Sequence, residues 1–275
     1  MLQMSFCGFK AGWGRLAVAM QVVTFTTDFG TTDAYAGAMK GVVLSLAPRS
    51  VLVDITHAIP RHDVRAGAWV LAESAPCFPP GSVHVAVVDP GVGGPRAGLV
   101  VEAAGHLFVG PDNGLLALAA PPPRKVFRIE NPLFRRARPS PTFHGRDVFA
   151  VAAGRLAEGL PACEAGPAAE TMTDLFLPAS GCVHGDGEGE VVHIDVFGNL
   201  VTSFSGGEVE GRWELICANR GFELRGGRTF SDVPPGRLVC YEGSSGRIEI
   251  AVREGSAAAL TGCQVGTSIH LRRRS

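Results

Sequence analysis

The chain contains no CxxC pair, no apolar run of the roughly twenty residues needed to cross a bilayer as a helix, and no broad excess of positive charge. Seven cysteines, Cys7, Cys77, Cys163, Cys182, Cys217, Cys240 and Cys263, are odd in number and scattered through apolar surroundings. That pattern argues against a disulfide framework or a cysteine zinc site, and fits reduced thiols in a cytoplasmic protein. A formal net charge of −1 and a pI near 6.7 argue against the positive field that nucleic-acid phosphates demand. The basic run Arg272-Arg-Arg274 reads as a solvated tail. No serine sits in a Gly-x-Ser-x-Gly elbow, and Gly91-Val-Gly-Gly94 lacks the Gly-Lys-Ser/Thr ending of a phosphate-binding loop. His57 and His62 flank Pro60 and so cannot pair on one helical face, and no metal is expected.

What is present is enough apolar sequence, 46% of 275 residues, for a large core or two medium ones. Val22 to Thr27 is short and β-branched. After Asp28-Phe-Gly30, the spacing of Tyr35, Met39, Val42, Val43 and Leu46 changes to a helical period that stops before Pro48. The alternation continues with a strand at Val51 to Ile55, a helix from about Asp63 to Ser74, strands at Val83 to Val88, Leu99 to Glu102 and Leu107 to Val109, and a helix from about Gly145 to Ala157. Such a pattern predicts an α/β unit with a mostly parallel sheet flanked by helices. Beyond Gly159 the sequence turns rich in glycine and proline, and then gives short strands at Val191 to Val196, Leu200 to Phe204, Trp213 to Ala218, Leu238 to Tyr241 and Ile248 to Val252. These predict a small C-terminal antiparallel barrel or sandwich. The expected organisation is a dispensable extension at 1–19, with a frayed native tail as the alternative, an α/β domain at 20–165, a linker at 166–188 and a β-barrel domain at 189–275.

Ligands of open α/β sheets bind beyond the carboxyl ends of the strands, where Asp28 and Asp89 both fall. The two oxygens of Asp28 match a pair of adjacent hydroxyls such as a ribose diol; equally, an Asp there can close an Asx turn. Asp89 and Arg96 bracket a tight turn, in which the guanidinium either keeps the carboxylate ionised to orient water or braces the loop. His144 precedes a helix, where its imidazole is either a donor and acceptor to a ligand or an exposed structural residue.

Thr26-Thr-Asp-Phe-Gly30, Asp54-Ile-Thr-His57, Asp89-Pro-Gly-Val-Gly93, Pro111-Asp-Asn-Gly114, Thr142-Phe-His-Gly-Arg-Asp147, Asp195-Val-Phe-Gly-Asn199, Ser244-Ser-Gly246 and Glu249-Ile-Ala251 together resemble the S-adenosylmethionine hydroxide adenosyltransferase family, which is related to the fluorinating and chlorinating enzymes. The resemblance covers the chain from about Val22 onward. It implies an α/β domain followed by a barrel, homotrimers with each active site between the two domain types of neighbouring subunits, and attack of water on the ribose 5′ carbon of S-adenosylmethionine. Adenosine and methionine are the implied products, with no cofactor. It also implies that Asp89, Arg96 and His144 handle the attacking water, that Asp28 binds the ribose hydroxyls, and that Asp195 meets the methionine ammonium. Asn199 would read an adenine edge, Phe197 or Phe230 would stack, Ser244 and Ser245 would take the methionine carboxylate, and Tyr35 and His62 would lie near the ligand. The halogenases replace the Asp and His of this set, and Val92 stands where the fluorinating branch has a hydroxyl, so water is the expected nucleophile. Arg247 and Arg253 stand where the family has an aromatic residue and an Asn, which leaves the polarity of the outer pocket open. A nucleoside sensor with vestigial chemistry is the alternative of a different class; binding without turnover distinguishes it.

Overall fold

In the computed structural model, residues 20–176, 187–207 and 209–274 are described; the expected extension at 1–19 and most of the expected linker's second half lie outside them. The first unit comprises β1 (Val22–Thr27), α1 (Tyr35–Leu46), β2 (Val51–Thr56), α2 (Val64–Ser74), β3 (Val83–Val87), β4 (Gly98–Ala103), β5 (His106–Pro111), β6 (Arg124–Arg128), α3 (Ala150–Glu158) and β7 (Ala168–Ala169). Its sheet is ordered β2-β1-β3-β5-β4-β6-β7. Strands β2, β1, β3, β5 and β6 run one way, and β4 and β7 run against them. The sheet is therefore mostly parallel, as the alternation predicts, with a hairpin inserted where β4 turns straight into β5 over Ala104 and Gly105.

Both faces of this sheet are covered, so side chains of period two enter two separate cores. Val23, Phe25, Val83, Val85, Val100 and Val109 face α1 and α3, where Met39, Val43 and Ala153 close the layer. Ala86, Val88, Leu99, Val101 and Phe108 face α2 and the segment around Leu115 and Leu116. Each such aliphatic side chain contributes about 1.5–3 kcal/mol by leaving water. The segment from 166 onward is not free spacer at its start: Ala168–Ala169 pair with β6, and Met172 is buried against the second core.

The C-terminal unit comprises β8 (Gly187–Ile194), β9 (Leu200–Ser205), β10 (Gly211–Cys217), β11 (Arg220–Gly226), β12 (Leu238–Glu242), β13 (Arg247–Val252), α4 (Ala257–Thr261) and β14 (Ser268–Arg274). It closes as a barrel in the order β10-β11-β12-β13-β9-β8-β14. The barrel is antiparallel, as expected, at every seam but one. A closed ring of seven strands cannot alternate direction at every seam, and the odd seam is β11 against β12, parallel over Arg225↔Val239 and Gly226↔Cys240. The two units meet where Trp69 of α2 is buried with Val192 and Val201, stacks on His193 at 6.1 Å, and lies 5.4 Å beneath the Arg247 guanidinium. Arg65 and Glu190 form an ion pair beside this contact.

One buried polar cluster makes the first unit sensitive to acid. His84 accepts no solvent, shares 2.8 Å with Thr24 Oγ1 and 3.2 Å with His106 Nδ1, and stacks on Phe108. Burial, reinforced by the neighbouring His106, pushes its pKa down to about 4. The unfolded chain therefore binds a proton below about pH 6.5 that the folded chain refuses until about pH 4. Stability should be full above pH 6.5 and fall by on the order of 2–3 kcal/mol as pH drops through this window. Chemical denaturation across pH 4 to 7 checks this, and His84→Gln, which keeps a polar partner for Thr24, should flatten the slope.

Candidate active site

The loops that leave the carboxyl ends of β1 and β3 converge with the loop that enters the helix at Gly145, and a cleft of about 460 Å³ opens between them. Asp28, Tyr35, His62, Asp89 and His144 all line it. Five of the residues expected from sequence therefore meet in one place, with Arg96 directly behind.

Arg96 holds this group together. Its Nε lies 3.0 and 3.1 Å from the two oxygens of Asp89, and one terminal nitrogen bonds both Asp89 Oδ2 and, at 2.8 Å, His144 Nδ1. The guanidinium also sits 5.3 Å from the centre of the Phe149 ring. The Asp89 side chain is 5% exposed, so the pairing acts in a medium of reduced polarity and is stronger than a surface ion pair. A guanidinium has donors only, so Nδ1 of His144 must accept, and the ring proton resides on Nε2. Burial pulls the His144 pKa down, helped by the Arg96 charge and opposed by Asp89 and Asp147. The imidazole is thus held neutral, with Nε2–H free to donate.

Local sequence explains how two distant loops keep this register. The turn after Asp89 is closed by Val92 N–H to Asp89 O at 3.2 Å and by Gly94 N–H to Gly91 O at 3.0 Å. Gly93 has φ +78°, and a Cβ there would lie 2.4 Å from Pro141 O, so glycine lets the Asp89 turn seat directly on the loop that carries His144. That second loop is tied to the helix by the buried carboxylate of Asp147, which accepts from Arg146 at 2.7 and 2.8 Å and from Ser140 N–H at 2.8 Å, with Arg136 at 3.3 Å. The bonds from Arg146 hold the Asp147 carboxyl below its ordinary range against the opposing effect of burial. The helix expected over 145–157 begins here as a π-helical turn, Gly145–Phe149, before α3; such widened turns recur at functional sites.

On the opposite wall, Asp28 Oδ2 accepts the His62 N–H at 2.9 Å, and His62 itself takes φ +66°, a strained conformation for a residue with a β carbon. The turn is stabilised further by Asp63, whose side chain caps α2 through Ala66 N–H at 2.9 Å. Tyr35 and Phe143 meet edge to face at 5.1 Å and, with Phe29, give the cleft an aromatic side. Phe143 was legible only as the neighbour of His144.

The barrel residues form a second group. None of Asp195, Phe197, Asn199, Phe230, Ser244 and Ser245 lines the cleft of the same chain. Asp195 accepts from the backbone of Phe197 at 2.9 Å and of Asn199 at 2.8 Å, and from the Asn199 amide at 2.8 Å, which fixes the β8–β9 turn and leaves Phe197 74% exposed at its tip. Phe230 packs on Tyr241 at 5.1 Å, and the Tyr241 hydroxyl donates to Glu249 at 3.1 Å. Burial raises the Glu249 carboxyl, and Asp195 adds to the rise. Tyr241 and Glu249 escaped the sequence reading, although Glu249 opens one of the motifs quoted above. Ser245 Oγ is buried without a partner among the described residues. Arg247 and Arg253 are structural here: Arg247 donates to Ser203 O over Trp69, and Arg253 to Val233 O.

The family model for the S-adenosylmethionine hydroxide adenosyltransferase N-terminal domain matches residues 23–166, and that for the C-terminal domain matches residues 189–270. An (R)-S-adenosyl-L-methionine hydrolase of Salinispora arenicola is 42% identical over 256 residues, covering 90% of this chain and 97% of that protein. One of Thermus thermophilus is 42% identical over 262 residues, covering 92% and 100%. The crystal structure of an uncharacterized conserved protein from Thermotoga maritima superposes with a TM-score of 0.85 at 30% identity, covering 91% of this chain and all of that one, 100%.

Nitrogen-15 NMR of the His144 ring should show a bare Nδ1 and a protonated Nε2, with the ring titrating below the ordinary 6.5. Arg96→Gln should raise that pKa and release the tautomer; a ring protonated at Nδ1 in the native protein would contradict the assignment.

Proposed function

The chain belongs to the S-adenosylmethionine hydroxide adenosyltransferase family, and we propose that it hydrolyses S-adenosyl-L-methionine to adenosine and L-methionine at the cleft built around Arg96. The observation that carries this reading is the continuous Asp89–Arg96–His144 bonding at the mouth of β3, a set with capacity to hold and polarise one water. Water oxygen bonds to the ribose 5′ carbon while the carbon–sulfur pair departs on sulfur, so the sulfonium leaves as a neutral thioether. Collinear placement of oxygen, carbon and sulfur supplies much of the acceleration.

The tautomer of His144 supports one route for the proton. With Nδ1 occupied by Arg96, the imidazole donates through Nε2 and orients the water, and Asp89, an acceptor with lone pairs beyond those Arg96 engages, takes the proton. Asp28 presents its carboxylate to the ribose diol, with Tyr35 and His62 beside it. Substrate is the sole small molecule the chemistry calls for, with no cofactor.

The barrel group completes the site from a neighbouring copy in a homotrimer. Two facts support this: the expected ligand residues fall on two separate surfaces of one chain, and Ser245 Oγ is buried without a partner among the described residues. Asp195 and Glu249, close enough to interact, favour the cationic ammonium end of the substrate. Asn199 faces an adenine edge, Phe197 or Phe230 stacks on the base, and Ser244 with Ser245 receives the carboxylate. The units 20–165 and 189–275 act as two domains joined through 166–188. A cytoplasmic setting fits the free thiols of the described cysteines, and no described helix is long and apolar enough to cross a membrane.

Purified protein incubated with S-adenosylmethionine in oxygen-18 water should yield adenosine carrying the label at the 5′ hydroxyl, together with methionine. Asp89→Asn should lower turnover by ~10³-fold or more with substrate affinity little changed, as expected for an acceptor used in the transition state. A 5′-halo product in chloride or fluoride buffer, or tight binding with no product, would sink the hydrolase reading.

Mixing Asp89→Asn with Asp195→Ala protein, each inactive alone, should restore activity after subunit exchange, because some interfaces then combine two intact half-sites. A mixture that stays inactive while mass measurement shows exchanged trimers would place both residues in one subunit's site.

A further inference from the structure

Behind the ribose wall of the cleft lies a chain of polar groups that the proposed chemistry does not use. Lys40 Nζ donates to Asp54 Oδ2 at 2.6 Å, and His57 Nε2 faces Asp54 Oδ1 at 3.1 Å in an oblique contact. His57 Nδ1 lies 2.8 Å from Thr27 Oγ1, which in turn accepts the Phe29 N–H at 3.2 Å. His57 and Thr27 are buried, at 6% and 0% exposure.

His57 Nε2 has no well-aligned hydrogen-bond partner among the described residues, and the Asp54 carboxylate 3.1 Å away, an acceptor only, favours the ring proton on that nitrogen. Nδ1 is then bare and accepts the Thr27 hydroxyl proton, and the Thr27 oxygen is left to receive the Phe29 amide. The backbone reinforces the same crossing: Gly30 N–H donates to His57 O at 2.7 Å, and Ile59 N–H to Thr27 O at 3.3 Å. Asp28 sits between Thr27 and Phe29, the two residues this chain fixes, and its own Oδ2 accepts the N–H of His62 from the β2–α2 loop, which also carries His57.

We propose that His57, acting through Thr27, is a positioning residue that sets the Asp28 carboxylate for a vicinal diol, and so governs how strongly the site prefers ribose to deoxyribose. The proposal rests on the reading of Asp28 as the ribose ligand. Hydroxyl recognition is where such positioning shows, because a carboxylate displaced by a fraction of an ångström loses one of two hydrogen bonds while still excluding water. Lys40 and Asp54 lie at the outer end of the chain, 30% and 41% exposed, and keep the His57 proton on Nε2.

The experiment compares adenosine with 2′-deoxyadenosine by calorimetry, and KM with kcat for S-adenosylmethionine, in the full-length protein. Wild type should prefer adenosine. Thr27→Val, close in shape to the native residue, should lose about tenfold of that preference and raise KM by a similar factor with kcat nearly unchanged. Thr27→Ser, which keeps the hydroxyl, should restore it. His57→Leu should match Thr27→Val, and Thr27→Val added to Asp28→Ala should cost nothing further in preference. Should Thr27→Val fail to fold, Thr27→Ala gives the same comparison. Full preference retained in Thr27→Val or Thr27→Ala, or equal weakening for both nucleosides, would overturn the proposal. Wild type that binds both nucleosides alike would overturn the ribose reading of Asp28 itself, before any variant is made.

Discussion

The Asp89 and His144 side of the candidate site depends on one guanidinium. Arg96 carries five donors in a fixed fork, and four of its contacts decide the state of other groups: three with Asp89 and one with His144. The Asp89 carboxylate, 5% exposed, has its oxygens bonded by Arg96, and the same guanidinium charge opposes the pull of Asp89 toward a protonated His144. Lysine could supply the charge but not the geometry, since a single ammonium cannot bridge both Asp89 oxygens and Nδ1 with in-plane bonds.

The scaffold is arranged around the need to hold that fork still. β3 delivers Asp89 from within the sheet, the glycine at 93 allows its turn to touch Pro141, and Asp147 binds the other loop to the first turn of the helix. Each restraint is a buried bond or a close backbone approach, which loses its value if shifted by an ångström. On the opposite wall His62 takes a left-handed conformation, and the bond its amide makes to Asp28 offsets part of the cost.

Much of this is legible in the sequence. Periodicity placed β1, α1, β2, α2 and β3 because each is a short element with a clear apolar face, and both Asp28 and Asp89 fell at strand ends as the alternation required. The resemblance brought His144 to Arg96 from 48 residues away, which local patterns could not do. What stayed hidden was relational. The parallel seam of the barrel follows from closure of seven strands and from no single stretch of sequence. Arg247 reads as a pocket residue until Trp69, on the other unit, is seen to occupy its guanidinium. Tyr241 and Glu249 sit on adjacent barrel strands, where registered pairing alone makes them neighbours.

The contact between the units also constrains how a complete site can form. β8 carries Glu190, Val192 and His193 against α2, where the His193 ring stacks on Trp69, and continues directly into Asp195. The direction of the 195–199 turn is therefore set by buried packing on the chain's own first unit. With Trp69 and Val192 sealed there, swinging the barrel loop over its own cleft would expose that apolar contact and break the Arg65–Glu190 pair. Closure by domain motion is thus costly, whereas closure by a second copy leaves every internal contact intact. On this argument a second copy is the economical way to complete the proposed site, whose expected barrel residues do not line the cleft of their own chain.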